Sequence, residues 1–182
     1  MTGYHFVSST PYKFIPIAEE TNLILPLGQW ILEQTCIQNK KWHDMGYKIS
    51  SAVNISAKQF LQDDIISIIK SALSVSGLEP KYLDLELTET TIMDDVERAI
   101  QVLEEIKTLG INISIDDFGT GYSSLSYLKK FPINTLKIDQ SFISSIDSVN
   151  SGNSSIANLV IDLGHKLGMN VIAEGVETQE QV

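Results

Sequence analysis

The stretch Ile111–Gly119 reads INISIDDFG, and it predicts a β-strand that ends in two acidic residues. The run from Ile111 to Asp116 is rich in β-branched residues, which is typical of a strand. Asp116 and Asp117 then stand side by side, and Gly119 opens a permissive turn. Taken alone, an acidic pair before a glycine is usually turn or capping chemistry. Whether this acidic pair has another role depends on which residues end the other strands.

Strands and helices alternate in both directions from this stretch. The other predicted strands are Ile49–Ser56, Leu83–Leu87, Thr135–Asp139 and Asn170–Glu174. Helical segments are predicted between or before them, at Leu23–Leu32, Ile65–Leu73, Val96–Ile106, Ser124–Lys130 and Ile156–Leu167. Strands that are joined by crossover helices must run parallel, so the sequence predicts the α/β class.

Every predicted strand ends in a polar or charged residue, and this feature separates two α/β architectures. The strand-end residues are Asn54, Glu86, Asp116 with Asp117, Lys137 with Asp139, and Glu174. A (β/α)8 barrel gathers functional groups from the ends of many strands. A doubly wound sheet concentrates them at one switch point, usually with a glycine-rich phosphate-binding turn after the first strand. No such turn occurs in this sequence, so a TIM-like barrel is favoured.

The strand-end residues are typical of a metal-dependent hydrolase if they meet in one pocket. Converging carboxylates repel one another unless they are protonated or neutralised. Oxygen ligands of this kind suit Mg²⁺ or Mn²⁺, and the amide of Asn54 would be a neutral partner. Two ions would clamp the attacking and leaving oxygens of a phosphodiester, and Lys137 would orient the nucleophile or stabilise the phosphate. A different metal-dependent barrel enzyme, such as an enolase-like lyase, satisfies the same constellation.

Charge and composition exclude several other classes of function. The chain has 182 residues with a formal net charge of −10, which disfavours a nucleic acid polymer as partner. It contains no run of about 18 apolar residues, so no membrane span is predicted. The single cysteine, Cys36, fits a reducing compartment, and we expect a cytoplasmic location.

Six short segments form an ordered set of motifs. They are FIPIAEE (14–20), VNIS (53–56), ELTE (86–89), IDDFGTGYSSL (115–125), LKID (136–139) and AEGVE (173–177). Together they resemble the EAL domain, a family of bacterial phosphodiesterases that hydrolyse cyclic di-GMP. The resemblance runs from about Pro11 to Val182. It implies a TIM-like barrel that hydrolyses cyclic di-GMP to linear pGpG with two metal ions. The alternative is an inactive module that binds cyclic di-GMP or another protein.

The resemblance also implies a role for each matching residue. The implied ligands of Mg²⁺ or Mn²⁺ are Asn54, Glu86, Asp116, Asp117 and Glu174, with Asp117 also near the substrate. Lys137 is similar to the lysine beside the attacking water, and Glu174 to a residue discussed as an acid/base. Glu89 resembles the glutamate that braces the loop after IDDFG, a loop linked in the family to dimerisation. A homodimer is therefore expected.

The chain also departs from the family pattern at both ends. The Glu-Ala-Leu tripeptide that names the family is absent, and residues 1–10 form an atypical N-terminal segment. Residues 11–182 are expected to form a partial EAL domain, a barrel without its first strand and its last two strand–helix units. We therefore expect the 182-residue chain alone to hydrolyse cyclic di-GMP poorly.

Overall fold

Five parallel strands form one sheet in which each strand pairs with the next along the chain. The computed structural model describes residues 10–120, 125–144 and 153–181. The strands are β1 (Ser51–Asn54), β2 (Leu83–Thr88), β3 (Asn112–Phe118), β4 (Thr135–Ile138) and β5 (Asn170–Ala173). This sequential parallel order confirms the predicted α/β class and an incomplete TIM-like barrel.

Helices connect the strands and cover one face of the sheet. Those in the described residues are α1 (Pro11–Glu20), α2 (Ile24–Asp44), α3 (Ala57–Phe60), α4 (Ile65–Ser76), α5 (Glu89–Met93), α6 (Val96–Thr108), α7 (Leu125–Leu128), α8 (Gln140–Ile143) and α9 (Asn153–Lys166). The longer helices α2, α4, α6 and α9 pack side by side or against the strands. Among the described residues, none of these helices has the length and apolar character needed to cross a membrane.

The two faces of the sheet differ in polarity, and β2 shows the pattern most clearly. Leu83, Leu85 and Leu87 are almost fully buried against the helices. Asp84 and Glu86 alternate with them and lie half-buried on the opposite, concave face. Burial of each leucine contributes about 1.5–3 kcal/mol. The apolar residues of β2 thus hold the sheet on the helices, while its polar residues line the concave face.

Glycines end two helices where the sequence predicts it. A stripe of buried residues, Ile65, Ile69 and Leu73, fixes α4 on the core. The helix then ends at Gly77, whose φ of 70° is easily reached only without a Cβ. Gly110 follows α6 with a φ of 84° in the same way.

The structure differs from the predicted elements in several places. Helix α1 was not predicted, because its internal Pro16 is a helix-breaking signal in sequence; Pro11, however, stands at the first helical position, where proline is tolerated. Strand β1 is shorter than the predicted Ile49–Ser56. Strand β4 ends one residue before Asp139, which instead caps α8. The first residue of the predicted helix Ser124–Lys130 lies outside the described residues.

Candidate active site

The carboxyl ends of the five strands bring the strand-end residues to one edge of the sheet. Asn54 ends β1 and is the register partner of Glu86 on β2. Asp116 on β3 is the partner of the last residue of β2. Glu174 follows β5, and its backbone N–H donates to the carbonyl of Ile138 at 3.1 Å. Parallel pairing therefore places residues that are distant in sequence at the same level.

Lys137 lies at the centre of this edge and contacts three carboxylates. Its Nζ is 2.6 Å from Glu174 Oε1, 3.0 Å from Glu86 Oε1 and 3.2 Å from Asp116 Oδ1. The side chains of Lys137 and Glu86 are each only 12% exposed, so solvent screens their attraction weakly. One cation thus links β2, β3 and β4 with the end of β5.

The surroundings of Lys137 keep its ammonium group charged. Burial by itself would lower the pKa of Lys137. Hydrogen bonds to Glu174, Glu86 and Asp116 outweigh that effect and raise the pKa above that of an ordinary lysine. Lys137 is therefore a proton donor in hydrogen bonds and a fixed positive charge, and it is unsuited to act as a general base.

A β-bulge brings the two adjacent aspartates to the same side of the sheet. The register of β3 with β4 shifts between Ile115 and Phe118, and Asp117 has a left-handed φ of 55°. The backbone N–H of Asp117 donates to Asp116 Oδ1 at 3.1 Å. Carboxylate oxygens of Asp116, Asp117 and Glu174 lie within 4.8 Å of one another. In a regular strand the two aspartates would point to opposite faces.

A further carboxylate, Asp139, lies next to Asp117. Burial raises the pKa of Asp117, and the negative charges of Asp116 and Asp139 raise it further. Hydrogen bonds from Ser141 lower the pKa of Asp139, which caps α8. Asp117 is therefore the member of this pair that more readily holds a proton. From the sequence, Asp139 is recognisable only as a strand-end residue without an assigned role.

Glu89 supports the turn that follows the aspartates. It begins α5, is 2% exposed, and its Oε2 accepts a hydrogen bond from the N–H of Gly119 at 3.0 Å. Its Oε1 is buried with no partner among the described residues. Gly119 has a φ of 100°, and a Cβ there would lie 3.0 Å from the ring of Phe142. Residues 121–124, which complete the loop of the predicted motif, lie outside the described residues.

A cavity of about 530 Å³ opens beside the carboxylates, between the strand ends and the first two helices. Asn54 and Glu86 line it from the sheet, and Ile15 and Ile24 line it from α1 and α2. Asn54 is exposed and makes no side-chain hydrogen bond within the described part of the chain. The structure therefore places Asn54 at the border of the cluster and not at its centre.

Asp84 and Ser114 form a second polar pair, one level below the cluster. Ser114 Oγ lies 2.9 Å and 2.8 Å from the two carboxylate oxygens of Asp84. Burial raises the pKa of Asp84, and the hydrogen bond from Ser114 opposes that rise. This pair was not predicted from the sequence, although the alternation in Leu83–Leu87 places Asp84 on the same face as Glu86.

The donor atoms of the cluster fit a hard divalent cation. Asp116, Asp117 and Glu174 offer carboxylate oxygens only, without the sulfur or imidazole ligands that softer metals prefer. Oxygen donors gathered within a few ångströms are typical of Mg²⁺, Mn²⁺ and Ca²⁺ sites. The chemistry of these residues therefore agrees with a metal-dependent reaction at this edge of the sheet.

Known proteins resemble this chain over nearly its whole length. A sequence model of the EAL domain matches residues 6–182. The signaling protein YkoW of Bacillus subtilis is 50% identical over 171 residues, which cover 94% of this chain and 21% of that protein. The bifunctional diguanylate cyclase/cyclic di-GMP phosphodiesterase MucR of Pseudomonas aeruginosa is 43% identical over 173 residues, 94% of this chain and 25% of MucR.

A solved structure agrees with these relationships. The PaMucR phosphodiesterase in complex with c-di-GMP superposes with a TM-score of 0.93 at 42% identity, covering 97% of this chain and 72% of that one. The chain thus spans about a quarter or less of the length of the two curated relatives.

Proposed function

This chain belongs to the EAL domain family, and from that premise we propose that it hydrolyses cyclic di-GMP to linear pGpG in a metal-dependent reaction. The observation that carries the proposal is the convergence of Glu86, Asp116 and Glu174 on Lys137 at the strand ends. An isolated acidic turn would not gather three strands around one partly buried cation. The name of the similar protein MucR, a cyclic di-GMP phosphodiesterase in part, supports the same substrate.

We propose that the oxygen donors of the site hold Mg²⁺ or Mn²⁺, with two ions bound. The residues that would hold them are Asn54, Glu86, Asp116, Asp117 and Glu174. When bound, ions of this kind neutralise the phosphate charge and lower the pKa of water, which supplies the nucleophile. The protein carries a net charge of −10, so local cations are needed before an anionic dinucleotide can approach.

Lys137 and Glu174 have separate roles in the proposed reaction. Lys137 carries a fixed positive charge on Nζ that stabilises charge on the phosphate. It would orient the attacking water or a phosphate oxygen once bound cations take over one of its three carboxylate partners. Glu174 is 34% exposed, whereas Glu86 is 12% exposed, so Glu174 is the carboxylate on Lys137 that water and substrate reach more easily. This access suits a proton-accepting or proton-donating role for Glu174. Glu89 acts indirectly, because it holds the N–H of Gly119 next to Asp117.

The direct test is hydrolysis of cyclic di-GMP by the full chain in Mn²⁺, with the product pGpG separated by chromatography. We expect slow formation of product with Mn²⁺, none with a chelator, and none from the Asp116→Asn variant. Calorimetry run beside the assay separates the alternative function. Binding of cyclic di-GMP without product would support a non-catalytic binding module, and absence of both binding and product would contradict the proposal.

Two further expectations stay predictions. The homodimer is tested by sedimentation of the purified chain with and without cyclic di-GMP. The cytoplasmic location is tested by fractionation of cells that express the protein.

A further inference from the structure

The side chain of Gln59 is buried beside the candidate site. Gln59 is the third residue of α3, the short helix that begins three residues after Asn54, and it is only 4% exposed. It lines the same cavity as Asn54 and Glu86. A polar side chain that is so deeply buried needs hydrogen-bond partners.

The carbonyl end of the Gln59 amide is fixed by Ser56. Gln59 Oε1 accepts from the backbone N–H of Ser56 at 3.3 Å and from Ser56 Oγ at 3.0 Å. Ser56 Oγ in turn accepts from the backbone N–H of Gln59 at 3.4 Å, which completes a capping box. Because a backbone N–H can only donate, the atom facing Ser56 must be the oxygen. The orientation of the amide is therefore set by its surroundings.

The nitrogen end of the amide packs closely against Gly28 of α2. A Cβ on Gly28 would lie 1.8 Å from Gln59 Nε2, so only glycine is compatible with this position of the amide. Gly28 lies in α2 and lines the same cavity. Within the described residues Nε2 forms no hydrogen bond, and it is not one of the fully buried orphan atoms. Two N–H donors are thus held beside the cavity without a protein partner.

We propose that Gln59 Nε2 donates a hydrogen bond to the O6 atom of a guanine base, and that this contact selects guanine over adenine. The inference rests on the proposed function, because it identifies the base that occupies the cavity next to the phosphodiester site. Guanine presents two adjacent acceptors on this edge, whereas adenine replaces O6 with an N–H donor. A fixed donor therefore favours guanine and opposes adenine.

The lining of the cavity favours a base over a phosphate at this place. Ile15, Ile24, Ile31 and Val53 supply apolar surface around Gln59. A planar base packs well against such surface and needs few polar contacts, each of which fixes its orientation. The phosphate groups of the substrate are expected instead at the carboxylate edge, where Lys137 and bound cations neutralise them.

Gln59→Glu is the decisive variant, because glutamate keeps the oxygen that accepts from Ser56 and removes the N–H donor. A glutamate at the third helical position completes a capping box as glutamine does, so Ser56 keeps its acceptor. The donor Nε2 is replaced by an acceptor oxygen, which repels O6 and accepts from the N–H of adenine. Gln38→Glu is the matched control, because it makes the same change of charge on an exposed residue of α2.

The measurement is the dissociation constant of cyclic di-GMP and of cyclic di-AMP by calorimetry, with Mn²⁺ and with a chelator. We expect Gln59→Glu to weaken binding of cyclic di-GMP about tenfold, the size of one lost hydrogen bond with added repulsion. The preference for cyclic di-GMP over cyclic di-AMP should fall by at least the same factor. Affinity for Mn²⁺ alone, circular dichroism and the behaviour of Gln38→Glu stay as in the unsubstituted chain.

Each other outcome has a definite meaning. Unchanged binding of cyclic di-GMP by Gln59→Glu overturns the inference. A parallel loss of Mn²⁺ affinity also overturns it, since Gln59 would then act only by positioning Asn54. If Gln59→Glu does not fold, Gly28→Ala decides, because its new Cβ displaces the amide and must reduce the same preference. If the unsubstituted chain binds neither nucleotide, the proposed function itself fails.

Discussion

Lys137 on β4 and Glu174 beyond β5 are joined by an ion pair of 2.6 Å, although 37 positions separate them in the chain (174 − 137). Lys137 also holds Glu86 and Asp116 on its other side. The arrangement explains how three acidic residues and one lysine coexist at a sheet edge: the shared cation offsets the repulsion that the carboxylates would otherwise exert.

Replacement of Lys137 by methionine should remove catalysis while it leaves the fold intact. Methionine preserves much of the length and volume but not the charge, so three carboxylates lose their common partner and the reaction loses its fixed donor. We expect the rate of cyclic di-GMP hydrolysis to fall at least about 100-fold, as for other electrostatic groups at reaction centres. The control is Lys129→Met, which changes an exposed lysine. Near-normal turnover by Lys137→Met would contradict the role given to Lys137.

Two substitutions at Asp117 separate its charge from its backbone conformation. Asparagine adopts a left-handed φ readily, whereas alanine in that conformation costs about 1 kcal/mol or more. Asp117→Asn should therefore retain thermal stability and weaken Mn²⁺ binding at least about tenfold, because one anionic donor is lost. Asp117→Ala should show the same loss of affinity together with a lower melting temperature. Calorimetric titration with Mn²⁺ and thermal unfolding measure the two effects, and equal stability of both variants would argue against strain at this position.

Glu89 should tolerate glutamine better than alanine. Glutamine still offers an oxygen to the N–H of Gly119. Alanine leaves that N–H without its partner and creates a buried cavity. Loss of a buried hydrogen-bond partner costs about 1–3 kcal/mol. We expect that decrease in the free energy of unfolding for Glu89→Ala, with reduced hydrolysis, and a smaller effect for Glu89→Gln. Chemical denaturation of both variants provides the measurement, and the expectation fails if glutamine is as damaging as alanine.

The thiol of Cys36 should be protected from alkylation until the protein unfolds. Burial raises its pKa to about 11, so it carries almost no thiolate at pH 8. An unfolded cysteine ionises near pH 8.5. Since the folded form binds its proton more tightly, the contribution of Cys36 to stability is complete below about pH 8.5 and is lost as the pH rises towards 11.

Two measurements check the expectation for Cys36. Iodoacetamide labelling at pH 8 should be slow in buffer and fast in denaturant. The free energy of unfolding should also fall more steeply above pH 9 than it does in a Cys36→Ala variant. Rapid labelling of the native chain would show that the thiol is accessible.

The strands were predictable because their signal is local. The alternation in Leu83–Leu87 reflects one face that is buried by helices, and a period of two residues records it directly. The gathering of strand-end residues followed from parallel pairing, which any sequence of strand and helix cycles implies. These two arguments suffice for the class of fold and for the edge of the sheet where the candidate site lies.

Other features depend on tertiary contacts, which no short segment of the sequence reveals. The bulge at Asp117 exists only in the register of β3 with β4, and the close fit of Gln59 on Gly28 only where α3 meets α2. The capping role of Asp139 depends on a change of backbone direction after β4. The residues on which each feature depends lie far apart in sequence, or the backbone conformation involved is one that several residue types adopt.

Asp117, the left-handed residue near the end of β3, connects the carboxylate cluster to the turn that follows. Asp117 is the junction between a strand held on both sides and a turn tied to Glu89 by one hydrogen bond. The position of the Asp117 carboxylate in the cluster therefore depends on the backbone conformation of this one residue and on the Glu89 hydrogen bond that holds the start of the turn.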